Sequence, residues 1–153
     1  MINPVQFIQL IPRAVIWVQQ LEQEVLERGI PLSESQLRDA KQIPVMQPEK
    51  VRLLQVSYIP LPDDPELNLA AQTIQLITPN TWGLALRYGI LIRNDCWNNR
   101  ETLVHELVHT SQYERLGGHQ QFLNQYLTEC IQYGYPAAPL EQEAINRARG
   151  ICT

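Results

Sequence analysis

The stretch that decides the fold of this chain is RETLVHELVHTSQYERLGG, residues 100–118. Its apolar side chains recur at the spacing of an amphipathic helix. The pair Gly117-Gly118 offers a residue that can adopt the left-handed conformation in which helices commonly end, because glycine has no Cβ to clash. The sequence therefore predicts a helix from Arg100 to Leu116.

The start of this helix is indicated by the turn-rich segment before it. Side chains that can accept a hydrogen bond from a free helix N–H occur there at Asp95, Asn98 and Asn99. Asn98, with Glu101 three positions further on, resembles a capping box. Glu101 is therefore assigned to helix capping.

The predicted helix carries the motif HELVH, which contains His105, Glu106 and His109. Residues four apart on a helix lie one turn apart on the same face, so both imidazoles can bind one ion. Glu106 lies one step round, where its carboxylate can take a proton from a water on that ion. The motif predicts one zinc ion, with the two histidines as ligands and Glu106 as general base.

A catalytic zinc usually has three protein ligands and one open position. A histidine six residues beyond the motif would mark a metzincin, but Arg115 stands there, and Gln112 stands where that pattern needs glycine. A later carboxylate is the alternative, and the segment PLEQEA offers both Glu141 and Glu143. The choice between them is open at this point. Gln112, which follows His109 on the same helix face, is given no role.

The rest of the chain shows both helical and strand patterns. Helices are expected at residues 8–25, 33–42 and 140–150, and also around an apolar stripe from Phe122 to Ile131. A strand is expected at 51–58 and a proline-rich loop at 60–65. The clearest strand pattern is at 83–92, where apolar side chains recur at every second position.

Composition limits the class of protein. The length of 153 residues and the 44% hydrophobic content favour a single domain, 1–153, with residues 1–30 as an amphipathic N-terminal helix. The net charge of −4 gives no basic field for nucleic acid. Prolines and polar residues interrupt the apolar N-terminus, so neither a signal peptide nor a membrane span is predicted. Three widely spaced cysteines fit a reducing, cytoplasmic setting.

Two segments carry a likeness to a known family. HELVHTSQY, followed by a helix and then by YPAAPLEQEA, resembles the HExxH…ExxA pattern of the glu-zincins. The likeness is to small bacterial zincin-like metallopeptidase domains of largely unassigned function. It covers roughly residues 51–148 and leaves the N-terminal helix outside. It implies a zincin-like α+β fold with a small, mostly antiparallel sheet, an active-site helix and C-terminal helices that close a cleft.

The resemblance also implies roles for later residues. The first glutamate of ExxA is the family's third zinc ligand, which falls on Glu141, with Glu143 in reserve. Many relatives place an aspartate after that alanine, where it orients a ligand histidine, but this chain has Ile145. Asp95 or Asn146 is therefore expected to take that role.

The expected function is that of a zinc-dependent metallopeptidase whose partner is a peptide or protein substrate. The substrate would bind along the strand at 84–92 by strand addition. His119, Tyr133 and Tyr135 are candidate donors to the oxyanion of the transition state. Two alternatives stay open: a catalytically weak or inactive, zinc-stabilised protein-binding module, and a metal-free interaction domain that docks through its N-terminal helix.

Overall fold

The protein is an α+β structure of six helices and one small sheet in the computed structural model, which describes residues 3–153. In chain order the elements are α1 (Pro4–Arg28), β1 (Ile30–Pro31), α2 (Glu34–Gln42), β2 (Arg52–Val56), α3 (Pro65–Thr73), β3 (Gly83–Ala85), β4 (Gly89–Arg93), α4 (Arg100–Leu116), α5 (His119–Tyr133) and α6 (Pro139–Ile151). Buried apolar side chains from nearly all of these elements form one core cluster. None of the helices within 3–153 is long and apolar enough to cross a membrane.

The sheet has the order β1-β2-β4-β3 and is mixed. β1 and β3 run antiparallel to their neighbours, but the two central strands β2 and β4 are parallel and pair from Arg52↔Gly89 to Val56↔Arg93. The expectation of a mostly antiparallel sheet is therefore corrected to a mixed one. Parallel neighbours need a long crossover connection, and here the proline-rich loop, α3 and β3 supply it.

The region 83–92, predicted as one strand, is a hairpin of β3 and β4. The chain turns at Arg87, which has a positive φ of 105°, and the Leu86 N–H donates to the Gly89 carbonyl at 2.8 Å. The prediction of a single continuous strand is wrong because the period-two pattern passes unbroken through this turn. In β4, Ile90, Leu91 and Ile92 are all at most 2% exposed, so both faces of the strand are covered.

The N-terminal helix α1 extends beyond both ends of the apolar stripe at 8–25 and lies within the predicted range 1–30, of which residues 1 and 2 are outside the described part of the chain. It packs against the rest of the protein. Its buried face consists of Phe7, Leu10, Ile11, Ala14, Val18, Glu22 and Val25, whereas Ile8 of the predicted stripe is 61% exposed. This face packs mainly against α5, β4, β2 and α3. The apolar stripe is therefore used within the chain, which gives no support to a domain that docks through it.

Helix α4 has the predicted bounds, and its cap is one of the three predicted candidates. Asn99, and not Asn98, is the N-cap, and its side chain accepts a hydrogen bond from the Thr102 N–H at 2.9 Å. The helix ends at Gly117, which has φ 111° and donates to the Tyr113 carbonyl. Helix α3 was not predicted, although Asp64 followed by Pro65 is a typical helix start and the Asp64 carboxylate caps the Glu66 and Leu67 N–H groups.

The left-handed end of α4 leads to a prediction on stability. We expect Gly117→Ala to lower the free energy of unfolding by about 1–2 kcal/mol, because a Cβ is strained at positive φ. The matched control is Gly150→Ala in α6, where a new Cβ would meet no atom within 4 Å. That variant should be neutral or more stable by up to about 1 kcal/mol. Urea denaturation measures both, and equal effects would contradict the assigned role of Gly117.

Candidate metal centre

Helix α4 holds the two motif histidines in fixed positions. The His105 and His109 ring centroids lie 5.0 Å apart, as expected for side chains one turn apart. The helix is fastened to the β3–β4 hairpin by two side chains: Thr110 Oγ1 donates to the Arg87 carbonyl at 2.6 Å, and the Tyr113 hydroxyl donates to the Ala85 carbonyl at 3.2 Å. The hairpin therefore fixes both the position and the rotation of α4.

Helix α6 brings one carboxylate to both imidazoles. Glu141 Oε2 lies 2.8 Å from His105 Nε2, and Glu141 Oε1 lies 3.0 Å from His109 Nε2. One potential ligand atom from each of the three residues lies within 4.8 Å of the other two. Glu141 is only 2% exposed. The structure thus brings together the three residues that the motif and the resemblance singled out.

Two tyrosines complete the surroundings of Glu141. The Tyr126 hydroxyl on α5 donates to Oε1 at 2.8 Å, and the Tyr135 hydroxyl lies 3.4 Å from Oε2. Burial acts to raise the pKa of Glu141, yet its hydrogen bonds with the two imidazoles hold that pKa well below its usual range. The helical pattern assigns Tyr126 only to the apolar stripe of α5, because its contact with Glu141 depends on how α5 and α6 pack.

The partner of His109 is Gln112. Its Nε2 donates to the Leu140 carbonyl at 2.9 Å and to Glu143 at 2.7 Å, so its Oε1 faces His109 Nδ1 at 2.7 Å. An amide oxygen can only accept, so Nδ1 carries the proton and Nε2 is the ring atom turned toward Glu141. This hydrogen bond fixes the orientation of the imidazole.

The residues expected to orient a ligand histidine lie elsewhere. Asp95 forms an ion pair with Arg93, at 2.6 Å, and Asn146 is exposed on α6. Glu143, the reserve ligand, lies two positions after Glu141, whose carboxylate faces the histidines. It pairs with Arg115 at 3.0 Å and accepts a hydrogen bond from Gln112. On a helix two positions turn a side chain by more than half a turn, so Glu141 and Glu143 cannot face the same point.

Glu106 lies beside the three-residue group without joining it. Its Oε2 is 4.0 Å from His105 Nε2, and the residue is 7% exposed. Burial raises the pKa of Glu106, against the opposing effect of the two nearby histidines. A Cβ added to Gly83 at the start of β3 would lie 3.1 Å from Glu106 Cγ. Glycine at position 83 therefore lets the strand pass directly over the carboxylate.

The donor set fits a divalent cation. Two imidazole nitrogens and one carboxylate are common ligands of catalytic zinc, and ligands about 2.0–2.1 Å from a tetrahedral ion lie about 3.3 Å from each other. The nitrogen to oxygen distances of 2.8 and 3.0 Å are slightly shorter, so the side chains would separate by a few tenths of an ångström to hold an ion. The buried carboxylate also supplies a negative charge to offset that of a cation.

An open cleft of about 520 Å³ leads to this group from the surface. His105, Glu106 and Glu141 lie on its wall, together with Trp82 and Gly83 at the start of the hairpin. The side chain of His105 is 19% exposed, against 7% for His109 and 3% for Glu141. The group therefore meets solvent on the His105 side.

Of the three candidate oxyanion donors, the structure places one beside the cleft. Tyr135 lines it. His119 lies 3.1 Å from Glu22 on α1 and 3.0 Å from the Leu86 carbonyl, and Tyr133 is 55% exposed on α5. His119 and Tyr133 thus lie apart from the group, because the first is held by α1 and the hairpin and the second points to solvent.

Comparisons with known proteins do not assign this chain to a family. No protein-family model, curated protein or solved structure matches it. The likeness of HELVH and LEQEA to the glu-zincin pattern therefore remains an expectation from those two motifs.

The buried hydroxyl of Tyr126 leads to a prediction on the metal-free protein. Tyr126→Phe should lower the free energy of unfolding by about 1–3 kcal/mol, because it removes a hydrogen bond to a buried carboxylate. Tyr133→Phe, the same change at an exposed position of the same helix, should alter it by less than about 0.5 kcal/mol. Urea denaturation compares the two variants. If they behave alike, the Tyr126 hydroxyl does not stabilise Glu141.

Proposed function

We propose that this protein is a zinc-dependent metallopeptidase with a zincin-like fold, in which His105, His109 and Glu141 bind one zinc ion and Glu106 is the general base. The observation that carries the proposal is the meeting of three potential ligands beside an open cleft, whose wall includes two of them, His105 and Glu141, together with Glu106. A structural zinc is usually enclosed by four protein ligands, whereas a catalytic zinc has three and keeps one position for water. Three donors beside an accessible cleft favour the catalytic kind.

Zinc and the protein's own residues would have separate roles in the reaction. When bound, zinc acidifies a water and polarises the substrate carbonyl. The Glu106 carboxylate accepts the proton of the attacking water and returns it to the leaving amine. Its position supports this role, because the carboxylate lies beside the potential ligands without being one of them.

Two further features support binding of a peptide. β3 is an edge strand of the sheet, and its first residue, Gly83, lies on the cleft wall. An extended peptide can therefore add to β3, although not to β4, which is already paired on both sides. Tyr135 borders the cleft, and we assign its hydroxyl as the donor to the oxyanion, for which it would give up its 3.4 Å contact with Glu141 Oε2.

The main alternative is an inactive, zinc-stabilised protein-binding module. The reason to consider it was Ile145, at the position where many relatives place a histidine-orienting aspartate. Gln112 makes the equivalent contact with His109, which weakens that reason. The buried Glu106 beside the open cleft favours the enzyme. We further propose a cytoplasmic location, since all three cysteines are free thiols.

The proposed ligand set predicts the metal content of variants. The native chain should bind one zinc ion, and Glu141→Gln should lower the zinc affinity by more than about 100-fold, since losing even a hydrogen-bonding partner of a ligand costs roughly 10–100-fold. Glu143→Gln is the matched control and should still bind one equivalent. Competition with a chromogenic chelator measures both affinities. Greater loss with Glu143→Gln would reject Glu141 as the ligand.

If Glu106 is the general base, replacing it should reduce peptide hydrolysis without reducing zinc binding. Glu106→Gln should bind zinc with nearly native affinity but lower kcat/KM for peptide hydrolysis by about 10²–10⁴-fold, because the amide cannot accept the proton. Glu24→Gln, which changes an exposed carboxylate of α1 outside the cleft, should leave both quantities unchanged. A peptide library read by mass spectrometry detects cleavage. Equal activity of native and Glu106→Gln protein would exclude the proposed mechanism.

A further inference from the structure

The open cleft beside the metal centre continues along the last two turns of α6. Ile145, Ala148 and Arg149 lie on its wall together with Glu141. Residues four, seven and eight positions after Glu141 share its face of the helix. At about 1.5 Å per residue, Arg149 lies about 12 Å further along the axis of α6. The helix face that offers a carboxylate to the metal thus ends in an arginine.

Helix α2 shows which end of α4 this arginine is near. Arg100, the first residue of α4, pairs with Asp39 of α2 at 2.8 Å. Arg147 of α6 donates to the carbonyl of Ile43, the residue that follows α2. The start of α4 and the end of α6 therefore lie beside the same helix, whereas the start of α6 lies beside the metal centre. The two helices run in opposite directions, and Arg149 is near the first turn of α4.

Arg149 is a cation without a partner in the chain. Among the wall residues that the structure describes, it is the only arginine or lysine, and it is exposed. Within residues 3–153 it forms no ion pair and no side-chain hydrogen bond, unlike Arg115 and Arg147 of the same region. Glu101 also lies on this wall but does not pair with it. The planar guanidinium, with its fork of N–H donors, matches a carboxylate.

The hydroxyl of Thr102 is a second polar group without a partner on this wall. The residue is 7% exposed, and its Oγ1 is buried and has no hydrogen-bond partner in the described part of the chain. Such a hydroxyl costs free energy. A threonine in a helix has two accessible χ1 rotamers, and a change between rotamers can exchange its hydroxyl with its methyl group. A ligand bound in the cleft would offer the rotated hydroxyl an acceptor.

We propose that the part of the cleft bordered by Arg149, Thr102 and Glu101, which we call the distal cleft, binds a carboxylate of the substrate peptide on the carboxyl side of the cleaved bond. Arg149 supplies the charge and Thr102 a hydrogen-bond donor. The carboxylate belongs either to the C-terminus of the peptide or to an Asp or Glu side chain. The proposal rests on the proposed peptidase function and names its substrate class, which neither HELVH nor LEQEA specifies.

The direction of β3 supports this orientation of the peptide. β3 begins at Gly83, beside Glu106, and ends at Ala85, whose carbonyl accepts from Tyr113 further along α4. β3 therefore advances in the same direction as α4. A peptide added antiparallel to β3 runs the opposite way, so its carboxyl side extends toward the first turn of α4. The positive charge of Arg149 attracts the carboxyl end of a peptide and repels the amino end.

The spacing along α6 sets where the carboxylate lies in the peptide. An extended chain advances about 3.3–3.6 Å per residue, so about 12 Å corresponds to 3 or 4 residues. Side chains on a helix point toward its N-terminus, which brings the guanidinium of Arg149 closer to the metal centre. We therefore expect the carboxylate about 2–4 residues after the cleaved bond.

Peptide libraries with free and with amidated C-termini test the preference of the zinc-loaded protein. Bonds about 2–4 residues before a free carboxylate should be cleaved with kcat/KM at least about fivefold above their amidated matches, which is the upper end for an exposed ion pair. Arg149→Gln should abolish this difference, and Arg149→Lys should retain part of it. Arg28→Gln, at an exposed position of α1 outside the cleft, is the matched control and should keep the native preference. Glu101→Gln should increase the preference, since it removes a like charge.

The two sources of the carboxylate give different results. A preference that disappears on amidation assigns the distal cleft to the C-terminus of the peptide. A preference of amidated peptides for Glu over Gln after the cleaved bond, lost in Arg149→Gln, assigns it to an acidic side chain. Cleavage with neither preference would overturn the inference and leave the peptidase proposal intact.

Binding to the metal-free protein separates the inference from the peptidase function. N-acetylated tetra-alanine with a free carboxylate, or its amide, is titrated into isotope-labelled native protein and followed by NMR. The free acid should shift the Arg149 Nε–H resonance and the amides of the last turn of α6 more than the amide does, and about 0.5 M NaCl should weaken the effect. Equal shifts would overturn the inference. Larger shifts with the acid, but no cleavage of any peptide, would overturn the peptidase proposal and with it the substrate role of the distal cleft.

Discussion

The structure depends on one buried carboxylate. Glu141 is 2% exposed, and a charge removed from water in this way is costly unless it is paired and hydrogen-bonded. Here both oxygens have partners: one faces His109 and Tyr126, the other His105 and Tyr135. These partners come from α4, α5 and the loop before α6. The need to satisfy Glu141 thus sets how the three C-terminal helices pack, and α4 and α6 form the most extensive contact between any two elements.

The same constraint explains the close fit of the hairpin to α4. The helix must present His105 and His109 toward α6, so its rotation cannot vary, and Thr110 and Tyr113 fasten it to the Arg87 and Ala85 carbonyls. Glu106 then lies under β3, where only glycine at position 83 avoids crowding it. The positions of β3, α4 and the Glu106 carboxylate therefore depend on one another. Glu106, the potential base, therefore lies beside the histidines without forming a hydrogen bond to their ring nitrogens.

The site has two different sides because of the N-terminal half of the chain. Toward solvent, the cleft is lined by polar side chains of the segment before β3 and of α6, including Thr81 and Arg149. Away from solvent, α1 and α3 surround the histidines with apolar side chains. His109 also packs edge-to-face against Phe122 and Tyr126 of α5. Apolar surroundings exclude water from one side of the group, which strengthens the electrostatic interactions within it.

Local patterns determined the elements that depend on nearest neighbours along the chain. The bounds of α4, the Ser33 cap of α2 and the strand at β2 could be predicted because capping, glycine termination and periodicity act over a few residues. Likewise, four-residue spacing on a helix put His105 and His109 on one face. The turn at Arg87 could not be predicted, since the apolar alternation continues across it.

The sequence by itself therefore determined which residues could form the site, and only the tertiary structure decided which of them meet. The sequence alone does not distinguish Glu141 from Glu143 as a ligand. The packing of α6 on α4 turns Glu141 toward the imidazoles and Glu143 toward Arg115. Gln112 and Tyr126 likewise acquire contacts from residues far away in the chain. The physical reason is that side-chain direction on a helix is local, whereas the partner a side chain finds is set by how whole elements pack.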